Sequence, residues 1–254
     1  MAQARLTVII PAYNEAGSIS LVAERVLATG LAREIIVVDD GSNDGTVAQL
    51  ERFNAISAVK VIRHPHNRGK GAAIRTGLAQ ATSEFVIIQD ADLELDPADF
   101  PAMIAPLLAG ESDVVYGMRT SDNPGRGIAL FLGVRMLTYL TNFLYGSRIH
   151  DEACGYKAFR LSLLRRVRLV CERFEFCPEV TAKLLRLGVK IVEVPVSYNP
   201  RSNEAGKKLR LGDGLTAMLT LMRYRFVSRR SFDLGEASAM PIEEAEPATI
   251  EVGD

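Results

Sequence analysis

The chain has 254 residues, of which 48% are hydrophobic and 24% charged. That balance excludes a disordered polyelectrolyte, a collagen-like repeat and a disulfide-rich miniprotein. The formal net charge of −1 hides an asymmetry: residues 232–254 carry seven acids and no Lys or Arg, so residues 1–231 set 24 acids against 30 bases, a net +6.

In chain order, short apolar runs rich in β-branched residues at 6–10, 34–38, 59–63, 85–89 and 113–116 predict strands buried on both faces. Helical patterns at 18–29, 44–53, 69–81 and 97–109 separate them, with Ser18, Asp44 and Pro97 as start signals. This alternation predicts an α/β fold, a mostly parallel sheet with helices on both faces. After a break at 120–127 the pattern changes to a long amphipathic helix at 128–145, a short strand at 156–159 and helices at 161–169 and 178–187. A strand at 190–198 and a helix at 211–228 follow. Residues 1–231 are expected to form one domain, and 232–254 an acidic, disordered tail. No run reaches 18 uninterrupted apolar residues, so no transmembrane helix is expected, and the apolar run before Pro11 is too brief for a signal peptide. Cys154, Cys171 and Cys177 lack paired spacing, which predicts reduced thiols in a cytosolic chain.

Ligands of an open parallel sheet sit beyond the carboxyl ends of its strands. The first strand ends in Pro11-Ala12-Tyr13-Asn14-Glu15 and the second in Asp39-Asp40-Gly41-Ser42. Two adjacent acids there need a counter-charge or a hydrogen-bonding ligand such as a base or ribose. The fourth ends in Gln89-Asp90-Ala91-Asp92, whose two carboxylates leave the strand together and can both face a divalent cation. Helix-start charge accounts for Asp92 and Glu94 but poorly for Asp90, which comes straight off a buried strand. Asn67-Arg68-Gly69-Lys70-Gly71 opens a helix either as a phosphate-facing turn or as a packing device. No P-loop or dinucleotide glycine motif occurs. His64, His66 and His150 show no metal or nucleophile pattern.

Taken together, Pro11-x-Tyr13-Asn14-Glu15, Val38-Asp39-Asp40-Gly41-Ser42 and Asp90-Ala91-Asp92-Leu93 resemble family 2 glycosyltransferases with the GT-A nucleotide-diphospho-sugar fold. The series continues through Tyr116-Gly117-Met118-Arg119, residues 151–160, Phe174-Glu175-Phe176 with Glu179, residues 193–198, Arg201 and Gly206-Lys207-Lys208. It is similar to the dolichol-phosphate mannosyltransferase branch and covers residues 5 to about 228. The resemblance implies that Pro11, Tyr13, Glu15, Val38 and Asp40 form the base and ribose site. It assigns the metal and diphosphate to Asp90, Ala91 and Asp92, with Glu94 beside them, and gives Arg119, Arg201 and Lys207 to the phosphates. Residues 1–118 would then bind the nucleotide sugar and 119–231 the acceptor. Cys177 departs from the pattern, since relatives often carry an acid between Phe176 and Pro178.

The implied reaction is inverting transfer of a hexose, mannose or glucose, from a GDP- or UDP-sugar to a polyprenyl or dolichyl phosphate. Mg²⁺ or Mn²⁺ on Asp90 and Asp92 would offset the charge of the leaving diphosphate. Such an acceptor is already anionic and needs positioning more than a base, which makes Arg119, Arg126 and Arg135 candidates to grip it. A saccharide hydroxyl as acceptor would instead require a carboxylate base, with Glu179 the first choice. A non-catalytic nucleotide-sugar-binding module is the alternative outside enzymes. The helices at 128–145 and 211–228, with cations near the second, fit either core packing or an anionic membrane surface. The expected placement is cytoplasmic, peripheral on the inner membrane face, with a membrane-anchoring partner protein and no nucleic acid.

Overall fold

The computed structural model describes residues 6–120, 128–200 and 211–235. Its first strand, β1 (Leu6–Ala12), is buried on both faces as its continuous apolar run requires. It pairs in parallel with β2 (Ala32–Asp39) on one side and with β4 (Phe85–Ile88) on the other. β3 (Val59–Arg63) extends the sheet beyond β2. The chain therefore builds outward from β1 in one direction, returns, and resumes at β4, which opens a crevice at the carboxyl ends of β1 and β4.

The described strands form one seven-stranded sheet in the order β3-β2-β1-β4-β6-β5-β7. β5 (Val114–Arg119) and β7 (Val192–Val196) pair in parallel, whereas β6 (Lys157–Arg160) runs antiparallel to both β4 and β5. Because β6 runs the other way, its entry at Cys154-Gly155-Tyr156 arrives beside the exits of β4 and β5. The reversal thus brings residues some 70 positions apart to one end of the sheet.

Helices cover both faces. α1 (Ile19–Ala28) buries Ile19, Val22, Ala23 and Val26, a 3.6-residue stripe that packs in the same apolar layer as Val8, Ile10 and Val37. α2 (Thr46–Glu51) and α4 (Phe100–Leu108) join that layer through Leu50, Phe100, Met103 and Ile104. α3 (Lys70–Gln80), α6 (Leu161–Arg166) and α7 (Phe176–Arg186) cover the opposite face, where Ile9, Ile36 and Ile88 meet Ile74, Leu164, Phe176 and Val180. Outside α7 lie α5 (Ile128–Tyr145) and α8 (Leu211–Phe226), joined to it through Ala182, Leu221, Tyr224, Leu137 and Leu144.

Two boundaries differ from expectation. α7 begins at Phe176 rather than at 178, since Pro178 lies within its first turn, where a missing N–H costs no hydrogen bond. The expected tail does not start at 232: Phe232 is buried, and Asp233 accepts from Arg166 Nε at 2.8 Å and Nη2 at 3.0 Å. These bonds hold the Asp233 carboxyl down at about 2, against the usual 3.8. Composition alone assigned these residues to the tail, because one Phe and one Asp do not outweigh the acidic run that follows.

Candidate active site

The ends of β1, β2, β4 and β5 open onto a cavity of about 980 Å³. Pro11, Tyr13, Glu15 and Asp40 line one end, and Asp90, Ala91, Asp92, Glu94 and Arg119 line its middle. The helices α5 and α8 add a largely apolar lining, Leu132, Met136 and Leu137 from α5 and Leu215, Ala217 and Met218 from α8, with Asp213 of α8 among them.

Asp40 is 2% exposed and heavily committed. It accepts the Arg68 amide at 2.9 Å, the Gly69 amide at 2.7 Å and a bond with His64 Nδ1 at 2.7 Å, while His64 Nε2 meets Thr76 Oγ1 at 2.9 Å. Asp40 thereby fastens the turn before α3 to the end of β2. Gly69 sits in that turn at φ 104°, and a Cβ there would strike the Glu172 carbonyl. Only glycine fits both constraints. His64, which sequence reasoning left without a role, is the clasp of this turn. Neighbouring Glu15 accepts from Ser18 Oγ at 2.7 Å, and its amide donates to Thr46 Oγ1 at 2.8 Å.

Asp90 pairs with the Lys70 ammonium. Burial opposes the charge on Lys70, and the Asp90 carboxylate more than offsets it, so the Lys70 pKa is raised. On the other side a Cβ at Gly155 would collide with the Asp90 carboxylate, so the reversed strand β6 approaches only because residue 155 has no side chain. Gln89 braces the turn beyond: its Nε2 donates to the carbonyls of Asp90 at 3.0 Å and Leu95 at 3.3 Å, and Tyr156 OH donates to its Oε1 at 2.5 Å. Asp92 accepts the Glu94 amide at 3.2 Å, and the intervening Leu93 is held at φ 60°. A leucine in that region costs about 1–3 kcal/mol, strain of the kind that collects at functional sites. Tyr198 OH donates to Glu94 Oε2 at 3.1 Å.

Arg119 lies between Asp151 and Tyr198. Its Nε and Nη2 each reach an Asp151 oxygen at 2.6 Å, and its guanidinium carbon is 5.2 Å from the Tyr198 ring centre. Burial works against its charge, and the Asp151 bonds outweigh burial, so its pKa is raised.

Other expected residues fall elsewhere. Val38 is fully buried in the sheet and does not line the cavity. Arg135 is exposed on α5, away from the lining. Arg126, Arg201 and Lys207 lie outside the described residues. Glu179 is fully buried beneath the cavity, where it accepts the amides of Val170 at 3.0 Å and Cys171 at 2.8 Å and Tyr224 OH at 2.9 Å, and pairs with Lys183. With its lone pairs so occupied and no place in the cavity lining, it is a structural anchor, not a base.

Among the described residues no group of three or more His, Cys, Asp or Glu side chains converges on one point. Asp90 and Asp92 supply hard oxygen donors, a set that suits Mg²⁺ or Mn²⁺ completed by substrate phosphates.

A sequence profile described as glycosyl transferase family 2 matches residues 7–168. The chain belongs to glycosyl transferase family 2. This family 2 chain is 28% identical over 235 residues to a dodecaprenyl-phosphate galacturonate synthase of Rhizobium johnstonii, across 87% of this chain and 68% of that protein. It is also 28% identical over 247 residues to a UDP-N-acetylglucosamine–dolichyl-phosphate N-acetylglucosaminyltransferase of Methanococcus voltae, across 88% of this chain and 98% of that one. Its fold superimposes on glucosyl-3-phosphoglycerate synthase of Mycobacterium tuberculosis, crystallised with Mn²⁺, UDP-glucose and phosphoglyceric acid, with a TM-score of 0.71 at 23% identity. That match covers 88% of this chain and 80% of the other. The family 2 enzyme thus has the GT-A fold.

Proposed function

We propose that this family 2 glycosyltransferase moves a hexosyl unit from a nucleoside-diphosphate sugar to a polyprenyl phosphate, with inversion at the anomeric carbon. One observation carries the reading: a single cavity runs from the carboxylates at the strand ends to an apolar slot between α5 and α8. A lipid phosphate joins the same two chemistries in one molecule. The two relatives named for polyprenyl- or dolichyl-phosphate sugars support the acceptor class. Their names carry galacturonate and N-acetylglucosamine, so they lend no support to mannose as the sugar, and GDP and UDP both stay open as the nucleotide.

Pro11, Tyr13 and Glu15 would flank the base and ribose, and Asp40 would hold the neighbouring turn rigid. Asp92 with Asp90 would hold a divalent cation, which when bound supplies electrostatic stabilisation of the departing diphosphate. Lys70 neutralises Asp90, and Arg119, oriented by Asp151 and Tyr198, presents its remaining N–H donors to phosphate. The acceptor phosphate is anionic at neutral pH and needs alignment and desolvation, which the apolar slot provides, rather than a general base. The commitment of Glu179 elsewhere counts against a saccharide hydroxyl as acceptor.

The same helices supply a route to the lipid. Leu132, Met136, Tyr139 and Phe143 of α5 and Leu215, Leu219, Met222 and Phe226 of α8 are all exposed, at matching offsets of four, seven and eleven residues, so each helix carries one apolar stripe that begins at the cavity, which Leu132, Met136 and Leu215 line, and continues over the surface. Arg223, Arg225, Arg229 and Arg230 are exposed beside Phe226, where each cation is worth about 1 kcal/mol at an anionic bilayer. No described helix is long and apolar enough to cross a membrane. Peripheral docking on the cytoplasmic leaflet, alone or beside an anchoring protein, follows as part of the proposal. Incubation with labelled UDP- and GDP-sugars, Mn²⁺ and polyprenyl phosphate tests the reading: label enters the organic phase if it holds and stays aqueous with every donor if it fails.

A further inference from the structure

We infer that Glu193 of β7 is a positioning residue for the transfer: it fixes the backbone of His150 and Asp151, and through Asp151 it sets the plane of the Arg119 guanidinium. This rests on the reading above in which Arg119 serves phosphate, and it adds a residue outside the cavity lining.

The segment between α5 and β6 brings Asp151 to Arg119, and its residues are held by different neighbours. Asn142 of α5 takes both sides of Ile149, accepting its amide at 2.9 Å and donating Nδ2 to its carbonyl at 2.8 Å. Thr138 Oγ1 accepts the Glu152 amide at 3.2 Å. Between them the amides of His150 and Asp151 converge on Glu193, whose Oε1 accepts both, at 2.9 and 3.0 Å. Oε2 meets the His150 amide at 2.9 Å and the ring Nδ1 at 2.7 Å. The His150 ring is 71% exposed and the Glu193 side chain 10%, so the amide bonds rather than the solvated ion pair carry this contact. They also demand a side chain of this length. Aspartate would draw the oxygens back by one carbon–carbon bond, about 1.5 Å, and out of hydrogen-bond range.

Asp151 is gripped at its other atoms too. Its carbonyl accepts the Cys154 amide at 3.3 Å, and its carboxylate takes the Arg119 amide at 3.3 Å besides the two bonds from the guanidinium. With its own amide pinned by Glu193, the carboxylate is confined, and the guanidinium that forks onto it inherits that confinement. β7 therefore acts on Arg119 twice: Glu193 fixes the acid that the fork grips, and Tyr198, two residues past the strand, stacks on the guanidinium. Neither Glu193 nor His150 lines the cavity, so an effect of Glu193 on transfer has to pass through residues that do. A misplacement of about 1 Å in such a group costs up to about a hundredfold in rate.

The test separates length from charge. Glu193→Gln keeps an oxygen at the same reach and loses the charge, whereas Glu193→Asp keeps the charge and loses the reach. β7 is the last strand of the described sheet, paired on one side, so both variants should keep the fold, with circular dichroism as the control. With Mn²⁺, a labelled donor and polyprenyl phosphate, Glu193→Asp should lower kcat/KM roughly tenfold and Glu193→Gln should stay within about threefold of the parent. In the Asp151→Asn background Glu193→Asp should cost no more than about twofold further, because the residue it acts through is already released. His150→Ala, which removes the ring and keeps both amides, should leave transfer within about twofold. A second readout needs no substrate: the Nε–H resonance of Arg119, identified by its absence from Arg119→Lys, should shift or broaden in Glu193→Asp and hold its place in Glu193→Gln.

Equal losses in Glu193→Gln and Glu193→Asp would make charge, not the amide bonds, the contribution. A full tenfold further loss in the Asp151→Asn background would give Glu193 another route, and an unmoved resonance in Glu193→Asp would free the fork from it. Each of these overturns the inference, as does a loss in His150→Ala that matches that of Glu193→Asp. A parent that transfers no sugar overturns the proposed function instead, and the resonance still decides the inference.

Discussion

Arg119 meets Asp151 through two parallel hydrogen bonds, Nε and Nη2 each 2.6 Å from a carboxylate oxygen. The two come from the end of β5 and the approach to β6, which only the reversed strand makes neighbours. The fork fixes the plane of the guanidinium and leaves its other donors facing the cavity. Asp151→Asn should keep the fold but free Arg119 to turn, and kcat/KM should fall about a hundredfold, or about 3 kcal/mol of transition-state stabilisation. Arg119→Lys should fall at least as far, because a point charge does not reproduce the fork. Steady-state kinetics with circular dichroism as the folding control checks both.

Asp92 has a different part from Asp90. Lys70 already balances Asp90, so Asp92→Asn should remove cation-dependent donor binding while leaving the melting temperature within a few degrees of the parent. Isothermal titration of nucleoside diphosphate with and without Mn²⁺ reads this directly. A variant that still binds the diphosphate more tightly with Mn²⁺ would move the cation elsewhere.

Glu152 lies fully buried, and its carboxylate oxygens make no well-formed hydrogen bond among the described residues, with only a weak approach from the Thr181 side chain. Burial pushes its pKa up to about 7, and Lys157 offsets that only in part. A pKa raised above the unfolded value of 4.5 means that the folded state holds the proton more tightly. The resulting stability is complete below pH 4.5 and is lost as pH rises through 7, by up to about 3 kcal/mol. Glu152→Gln should flatten that slope and be more stable than the parent at pH 8. Urea denaturation at pH 5 and pH 8 measures it, and parallel curves for the two proteins would contradict it.

The outward stripes of α5 and α8 give a fourth expectation. Phe143→Ser with Phe226→Ser, at sites 74% and 81% exposed, should leave folding and nucleotide binding intact but reduce flotation with vesicles of anionic lipid. Added salt should weaken the flotation of the parent, since the flanking arginines contribute through screened charge. Salt-insensitive flotation, or flotation unchanged in the double variant, would place the membrane contact elsewhere.

Much of this arrangement was legible in the residues because strand ends are local. A run such as Phe85 to Ile88 followed by Gln89-Asp90-Ala91-Asp92 declares both a buried strand and an acid pair at its exit. What composition and spacing could not show is what each acid faces. Asp40 reads as a ligand acid until His64 and two amides are seen to hold it. Glu179 reads as a base until its four donors are counted around it. Both facts depend on contacts between segments far apart in the chain. The antiparallel direction of β6 escaped for the same reason: a four-residue strand looks alike in either direction, and only Gly155 against Asp90 hints at the close approach.

The central claim is that the acceptor is a lipid phosphate, and one comparison tests it most directly. The protein, a labelled donor that it binds and Mn²⁺ are offered polyprenyl phosphate, the matching polyprenol without phosphate, or an oligosaccharide. Label should enter only the polyprenyl phosphate product. Transfer to the oligosaccharide, or equal transfer to polyprenol, would contradict the account.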